Sequence, residues 1–276
     1  MTRRESRWRV AAVQMTSTED REANLEAAER LVRRAAAGGA RLVALPENFS
    51  FLRPEGSPPR HAESLRGGLV SRLGSLAREL GCYVLAGSLP EQIPGSARIH
   101  NTSVLIGPDG ETVAVYRKIH LFDIDVEAGP VDRESARVMP GDRAVTAEVE
   151  GLTVGLTVCY DLRFPELYRT LALRGATILT VPASFTERTG RDHWEVLLRA
   201  RAIENGAWVL APAQIGGPPG HRSYGRSMVV DPWGTVVAQA PDVVGIVRAE
   251  IDPDRVAIVR RQIPSLTNRR PAAYDR

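Results

Sequence analysis

Two cysteines in 276 residues, Cys82 and Cys159, are too few for a disulfide framework. That scarcity excludes a small stapled fold and fits a reducing compartment, so a cytoplasmic protein is expected. Long apolar runs are missing as well. Nothing approaches the ~18 consecutive apolar residues that would span a bilayer. No signal-type apolar stretch follows the charged start Met-Thr-Arg-Arg-Glu-Ser-Arg-Trp-Arg before Asp20. Neither a membrane span nor a secretory signal is expected. Aromatic residues are 5% of the chain, and 36 Lys+Arg are mixed with 33 Asp+Glu rather than gathered into runs. The net charge of +3 therefore does not predict a nucleic-acid surface. Metal-ligand spacings of the H-x-x-x-H or C-x-x-C kind are absent, and neither a metal nor an organic cofactor is expected. The glycine-rich segment 216–220 lacks the Lys-Ser/Thr that would follow in a phosphate loop.

What remains is ordinary globular composition, 43% hydrophobic and 25% charged, on a chain long enough for a substantial core. Short β-branched runs at 9–15, 41–45 and 82–89 read as buried strands, with amphipathic helices over 19–37 and 69–80 between them, each ended by glycine. Hairpin signals follow at 101–116, around Gly107-Pro108-Asp109-Gly110, and at 228–240, around Asp231-Pro232-Trp233-Gly234. Residues 119–143 read as irregular. Strands at 144–149, 152–158, 176–181, 207–213 and 245–251 alternate with helices over about 165–174, 193–205 and 253–263. Mixed β-α-β units and hairpins predict a layered α/β fold with two mixed sheets rather than one parallel sheet. A dozen strands is many for one open sheet, so two sheets packed face to face between helices are expected. The early and late halves share a loose rhythm of βαβ plus hairpin. The Pro-, Gly- and Arg-rich loop 50–66 is long enough to suggest a cover over a site.

The stretch Val154-Gly-Leu-Thr-Val-Cys-Tyr-Asp-Leu-Arg-Phe-Pro-Glu166 organises the chain. An apolar run ends at Cys159, a polar corner follows, and Pro165 opens a helix. Such a turn can lift a side chain out of a sheet and aim backbone N–H groups at a reacting oxygen. Glu47, Lys118 and Cys159 all stand at the C-terminal ends of expected strands, where α/β sheets bind ligands. A thiol nucleophile needs a base. Glu47, if desolvated, is expected to have a raised pKa and to take that proton. Lys118 and the backbone N–H of Tyr160 can stabilise an oxyanion. A Cys159–His120 dyad is the rival arrangement, since spacing does not separate the five histidines.

At these residues the chain resembles a known family. Leu45-Pro-Glu47-Asn-Phe49, Tyr116-Arg-Lys118-Ile-His-Leu-Phe122 and Cys159-Tyr-Asp-Leu-Arg-Phe-Pro-Glu166 resemble the three signatures of the nitrilase superfamily of carbon–nitrogen hydrolases. His193–Asn205 and the hairpin Met228–Gly234 are similar too. The resemblance implies a four-layer α-β-β-α sandwich over residues 9–272, after an extension 1–8 and before a tail 273–276. It implies Glu47 as base, Lys118 as stabiliser of the tetrahedral intermediate, Cys159 as nucleophile and Glu134 as a second glutamate of the site. It also implies a homodimer or higher homo-oligomer, and no cofactor.

The residues after Cys159 are similar to those of amidases for deaminated glutathione and of ω-amidases for α-keto-acid amides. Pro165 and the run 193–205 lean to the first branch, and Lys118–Val126 equally to the second. The expected activity is cleavage of a small carboxylate-bearing amide through a thioester acyl-enzyme, releasing ammonia or an amine. The alternatives are an ω-amidase acting on α-ketoglutaramate, an N-carbamoyl amino-acid hydrolase, and a non-enzymatic scaffold. A single Arg163 where paired arginines are usual speaks against the N-carbamoyl reading. Arg163 is the expected grip for a substrate carboxylate, and the resemblance adds Tyr160, Phe185 and Thr189 as pocket residues.

Overall fold

The pleat of the first strand dictates two cores. A computed structural model describes residues 7–54, 57–58, 60–125 and 131–273. The expected extension and tail, 1–8 and 273–276, lie mostly outside these residues. In β1 (Trp8–Gln14) alternate side chains face opposite ways. Val10 and Ala12 join a core shared with the second sheet, while Ala11 and Val13 pack with residues of two helices. Those helices are α1 (Arg21–Ala37), capped by the Asp20 side chain on the Ala23 N–H, and α2 (Gly68–Leu80), ended by Gly81 at φ 61°. They flank β2 (Leu42–Ala44) and precede β3 (Tyr83–Gln92), β4 (Ile99–Ile106) and β5 (Thr112–Arg117).

A small hairpin, β6 (Asp123–Asp125) and β7 (Val131–Arg133), interrupts the segment expected to be irregular. The second half runs β8 (Val145–Val149), β9 (Leu152–Leu156), α3 (Pro165–Leu173), β10 (Ile178–Thr180), α4 (Glu187–Asn205), β11 (Trp208–Ala211), β12 (Ile215–Gly216), β13 (Ser223–Tyr224), β14 (Met228–Val230), β15 (Val236–Gln239), β16 (Gly245–Ile251) and α5 (Pro253–Gln262).

Two six-stranded sheets form, ordered β16-β1-β2-β3-β4-β5 and β15-β14-β11-β10-β9-β8. Each has three parallel strands, a hairpin on one side and one antiparallel strand on the other. The repeated rhythm of the sequence is thus a repeated sheet. Apolar faces of α3 and α4 pack on the second sheet within the shared core, which completes the four layers.

Topology places the reactive residues. β5 is antiparallel to β4, which is antiparallel to β3. Two reversals return β5 to the direction of β2, so Glu47 and Lys118 leave the same edge of one sheet. The start of β4, with Asn101, comes to that edge as well.

Helix α4 begins six residues before the expected His193. Its first turns carry no apolar stripe. They are held instead by Gly190, where a Cβ would stand 2.4 Å from the Tyr224 Cβ. A close approach of this kind leaves no periodic signal.

Gly87 in β3 bears directly on Glu47. A Cβ there would lie 2.0 Å from the Pro46 carbonyl oxygen and 2.2 Å from that of Leu45. Backbone on the far side cannot give way as a side chain can. Gly87→Ala is expected to lower stability by about 1–3 kcal/mol. Gly245→Ala, with nothing within 4 Å, should stay within about 0.5 kcal/mol of the parent. Denaturant unfolding of the two variants checks the contrast.

Candidate active site

Glu47 lies two residues beyond Leu45, whose N–H still bonds the Leu85 carbonyl at 2.9 Å. The residue is 3% exposed. One carboxylate oxygen accepts the Ser184 backbone N–H at 2.9 Å. The other accepts the Lys118 ammonium at 3.1 Å and the Asn101 amide at 2.9 Å. Lys118, 2% exposed, follows β5 directly. Its backbone is pinned from both sides, N–H to the Asn101 carbonyl at 2.9 Å and carbonyl to the Gly141 N–H at 2.8 Å. Its ammonium also reaches both Glu134 oxygens, at 3.2 and 2.9 Å. Glu134 opens a 3-10 turn (Glu134–Ala136) and accepts the Phe122 N–H at 2.6 Å. Asn101 spans the two glutamates, with its amide nitrogen 3.4 Å from Glu134.

Cys159 takes the left-handed conformation, φ 47°. For a residue with a side chain that costs about 1–3 kcal/mol, and surrounding bonds must enforce it. Here the Cys159 N–H bonds the Pro182 carbonyl at 2.9 Å. The buried Asp161 carboxylate accepts the Val158 N–H at 2.8 Å, the Tyr116 hydroxyl at 2.7 Å and the His120 N–H at 3.1 Å. Arg201, itself buried, donates to the Leu162 carbonyl at 3.0 and 2.6 Å. The polar corner expected after Cys159 is a 3-10 turn over Cys159–Arg163, and Pro165 opens α3 as expected.

The electrostatics follow from burial against charge. Burial alone would lower the Lys118 pKa, but Glu134 and Glu47 outweigh it and hold the ammonium well above its ordinary value. Burial pushes the Cys159 thiol up, and the Glu47 carboxylate pushes it further. The expectation that desolvation raises Glu47 is corrected. Burial does act upward, yet the Lys118 charge and bonds from Cys159 and Ser184 leave its pKa below the ordinary value. The resting pair is therefore a carboxylate beside a neutral thiol.

A cavity of about 370 Å³ opens over these groups. Glu47, Lys118, Glu134, Cys159, Tyr160, Phe185 and Thr189 all line it. The Tyr160 ring meets Phe122 and Phe164 edge-on, at 5.1 and 5.4 Å. Thr189 shares a 2.8 Å bond with the Thr186 hydroxyl. Arg163 is not among the lining residues. Its guanidinium sits over the rings of Phe185 and Tyr160, at 5.1 and 5.9 Å, and reaches His193 at 3.3 Å. The guanidinium thus packs against two residues that do line the cavity. His120 is not a lining residue either. Its Nδ1 lies 2.8 Å from Asp161 and its ring stacks on Phe164 at 3.6 Å, so the rival dyad has no geometric support.

Sequence reading missed Asn101, Ser184 and His221. Ser184 bonds Glu47 through its N–H, and its hydroxyl lies 3.0 Å from His221 and 2.9 Å from Ser223. A backbone donor has no residue signature. Asn101 could have been found by placing the start of β4 opposite Lys118. Part of the loop 50–66 lines the cavity, through Phe51, Leu52, Arg53 and Arg60; residues 55, 56 and 59 lie outside the described residues. Among the described residues no cluster of His, Cys, Asp and Glu has the geometry to hold a metal, and no helix is long and apolar enough to cross a membrane.

A model of the carbon–nitrogen hydrolase family matches residues 9–261. A deaminated glutathione amidase of Synechocystis sp. is 45% identical, over 94% of this chain and 97% of its own. The omega-amidase NIT2 of Homo sapiens is 38% identical, over 97% and 96%. Among solved structures, the C. elegans NitFhit protein has a TM-score of 0.89 at 37% identity, over 98% of this chain and 66% of its own. A glutamate-to-glutamine mutant of the amidase from Nesterenkonia sp. AN1 shows covalent addition of the acetamide moiety of fluoroacetamide at the active-site cysteine. Its TM-score is 0.77 at 28% identity, over 97% and 95%.

The neutral resting thiol is measurable. Ultraviolet thiolate absorbance, taken as the difference from Cys159→Ala, isolates Cys159 from Cys82, whose thiol burial pushes up to about 11. The Cys159 midpoint is expected above the ordinary ~8.5, and Glu47→Gln should lower it by removing a neighbouring negative charge. A midpoint near neutrality would show a thiolate paired with Lys118 instead.

Proposed function

The chain belongs to the carbon–nitrogen hydrolase family of the nitrilase superfamily and is an amide-cleaving hydrolase, and on that premise we propose that Glu47, Lys118 and Cys159 carry its reaction. The observation that supports this reading most is the Glu47 carboxylate itself. It is held by Lys118, Asn101 and Ser184 and lines one cavity with the Cys159 thiol.

Each step follows from that placement. Glu47 takes the thiol proton as the sulfur attacks the amide carbonyl carbon. The oxyanion forms against the Lys118 ammonium and the Tyr160 N–H. Collapse breaks the C–N bond, and Glu47 passes its proton to the departing nitrogen. A thioester and a free amine or ammonia result. Glu47 then deprotonates a water that attacks the thioester, and the thiol leaves with that proton as the carboxylic product forms. Glu134 keeps Lys118 charged and aimed throughout.

The substrate we propose is a small carboxylate-bearing amide of the deaminated-glutathione type. The 45% identical relative bears that name, and a cationic cavity mouth suits such an anion. An ω-amidase acting on α-ketoglutaramate is the second reading, supported by Lys118–Val126 and by the 38% identical relative. We further propose that residues 9–272 act as one hydrolase domain in the cytoplasm. The exposed Leu173, Val196 and Ile203 of α3 and α4, with Val237 of β15, are the apolar face through which the chain would pair with a second copy.

Turnover of deaminated glutathione, α-ketoglutaramate, an N-carbamoyl amino acid and a simple nitrile, read as released amine or ammonia, tests the reading. The highest kcat/KM is expected for deaminated glutathione; preference for α-ketoglutaramate would move the assignment to ω-amidase. Cys159→Ala should keep the fold and lose turnover. Activity surviving in that variant would refute the nucleophile.

Asn101→Ala supplies a sharper check. Glu47 must be ionised to act, and its depressed pKa places the acid limb of kcat/KM below the ordinary carboxylate range. Removing the 2.9 Å amide donor should raise that limb and lower kcat about 10- to 100-fold, as expected for a bond to a charged group. A drop in kcat with an unmoved limb would make Asn101 merely structural.

A further inference from the structure

The cavity is electrically lopsided. Its floor holds two carboxylates, the buried Glu47 and the part-buried Glu134, against one ammonium, Lys118. Its remaining lining includes five guanidiniums, Arg53, Arg60, Arg137, Arg188 and Arg222, against the single carboxylate of Glu187. A substrate carboxylate close to the floor would meet like charge. The reacting amide is neutral and fits there. An anionic group on the same molecule is driven toward the arginines.

Not all five are available. Arg222 is paired with Glu187 at 2.8 Å, and Arg53 donates to the Ser57 carbonyl at 3.0 Å. Arg137 already has a partner. Among the described residues the side chains of Arg60 and Arg188 make no hydrogen bond or ion pair, and both are exposed. They come from different elements, Arg60 from the loop after Phe51 and Arg188 from the first turn of α4. A guanidinium offers two parallel N–H donors to a carboxylate, and an unpaired one gives up no existing bond to do so.

We infer that Arg60 and Arg188 are the specificity-determining pair that grips the substrate carboxylate at the cavity mouth while the amide lies at Cys159. This rests on the amidase reading above. Neither touches the reacting atoms. Their effect falls on binding and on the choice between charged and neutral amides.

The test uses matched pairs of substrates differing by one carboxylate. One pair is succinamate and butyramide. The other is deaminated glutathione with its glycine carboxylate free or amidated. In the parent enzyme the charged member of at least one pair should have the higher kcat/KM. In Arg60→Gln/Arg188→Gln that charged-to-neutral ratio should fall about 10- to 100-fold, chiefly through KM, the loss typical of a charge-assisted bond. The pair that responds identifies which carboxylate is held. Arg60→Lys/Arg188→Lys should recover part of the ratio, because charge remains without the fork. The single Gln variants, each checked by circular dichroism, serve if the double variant fails to fold.

An unchanged ratio, including equal loss on both members, overturns the inference while leaving the amidase reading intact. A parent enzyme that shows no preference for the charged member of either pair overturns the carboxylate reading and the inference with it.

Discussion

One ammonium shared by two carboxylates, one buried and one part-buried, is the constraint on which the site depends. Each ion loses several kcal/mol of hydration on burial, and mutual attraction offsets it only when every remaining lone pair finds a donor. Three segments beyond the ionic trio supply those donors: Asn101 at the start of β4, Ser184 after β10 and the Phe122 N–H after β5. The cluster is thus satisfied only when both sheets are assembled. Ser184 is the link across, because it leaves the second sheet and bonds a glutamate of the first. Folding and preparation of the site are one event.

Cys159 meets the opposite problem. Its backbone is strained rather than its charge buried. The φ of 47° persists because Asp161 holds the turn from within, bonded to Val158, Tyr116 and His120. Tyr116 belongs to the first sheet and Val158 to the second half of the chain. The same carboxylate therefore shapes the elbow and ties it to the strand that carries Lys118. This also accounts for the chemistry of His120. Its ring nitrogen is engaged by Asp161, so an imidazole two residues from Lys118 braces the turn rather than serving as a base.

Much of the fold was legible because its signals are periodic. Alternation in β1, helical spacing in α1 and α2, and Gly-Pro-Asp-Gly hairpin chemistry each reflect a local rule. The short hairpin of β6 and β7 and the first turns of α4 escaped, since a backbone pairing of three residues and a glycine seated on Tyr224 leave no pattern. In the site, Glu47, Lys118, Glu134 and Cys159 could be named because ionisable residues at strand ends and a family resemblance marked them. Their coming together is a product of sheet direction, which single strands do not reveal. Arg163 shows the limit from the other side. Four residues past the cysteine is close in sequence, but the 3-10 turn leaves that guanidinium stacked over Phe185 and Tyr160, outside the residues that line the cavity.

The sign of the Glu47 shift decides how the proposed reaction must run. Had burial prevailed, a protonated glutamate would face the thiol and no base would be present at neutral pH. Had Lys118 favoured sulfur over oxygen, a thiolate would already exist and Glu47 would hold its proton. The balance found, with burial and the carboxylate both pushing the thiol upward, keeps the proton on sulfur until an electrophile arrives. Transfer to Glu47 then coincides with attack, when negative charge moves from the carboxylate to the new oxyanion beside Lys118. The ammonium serves both charges in turn, and the floor carries the same total charge before and after. That constancy leaves the floor unfavourable to a further anion at every stage. It is the physical reason behind the proposed separation of the substrate's carboxylate from its amide.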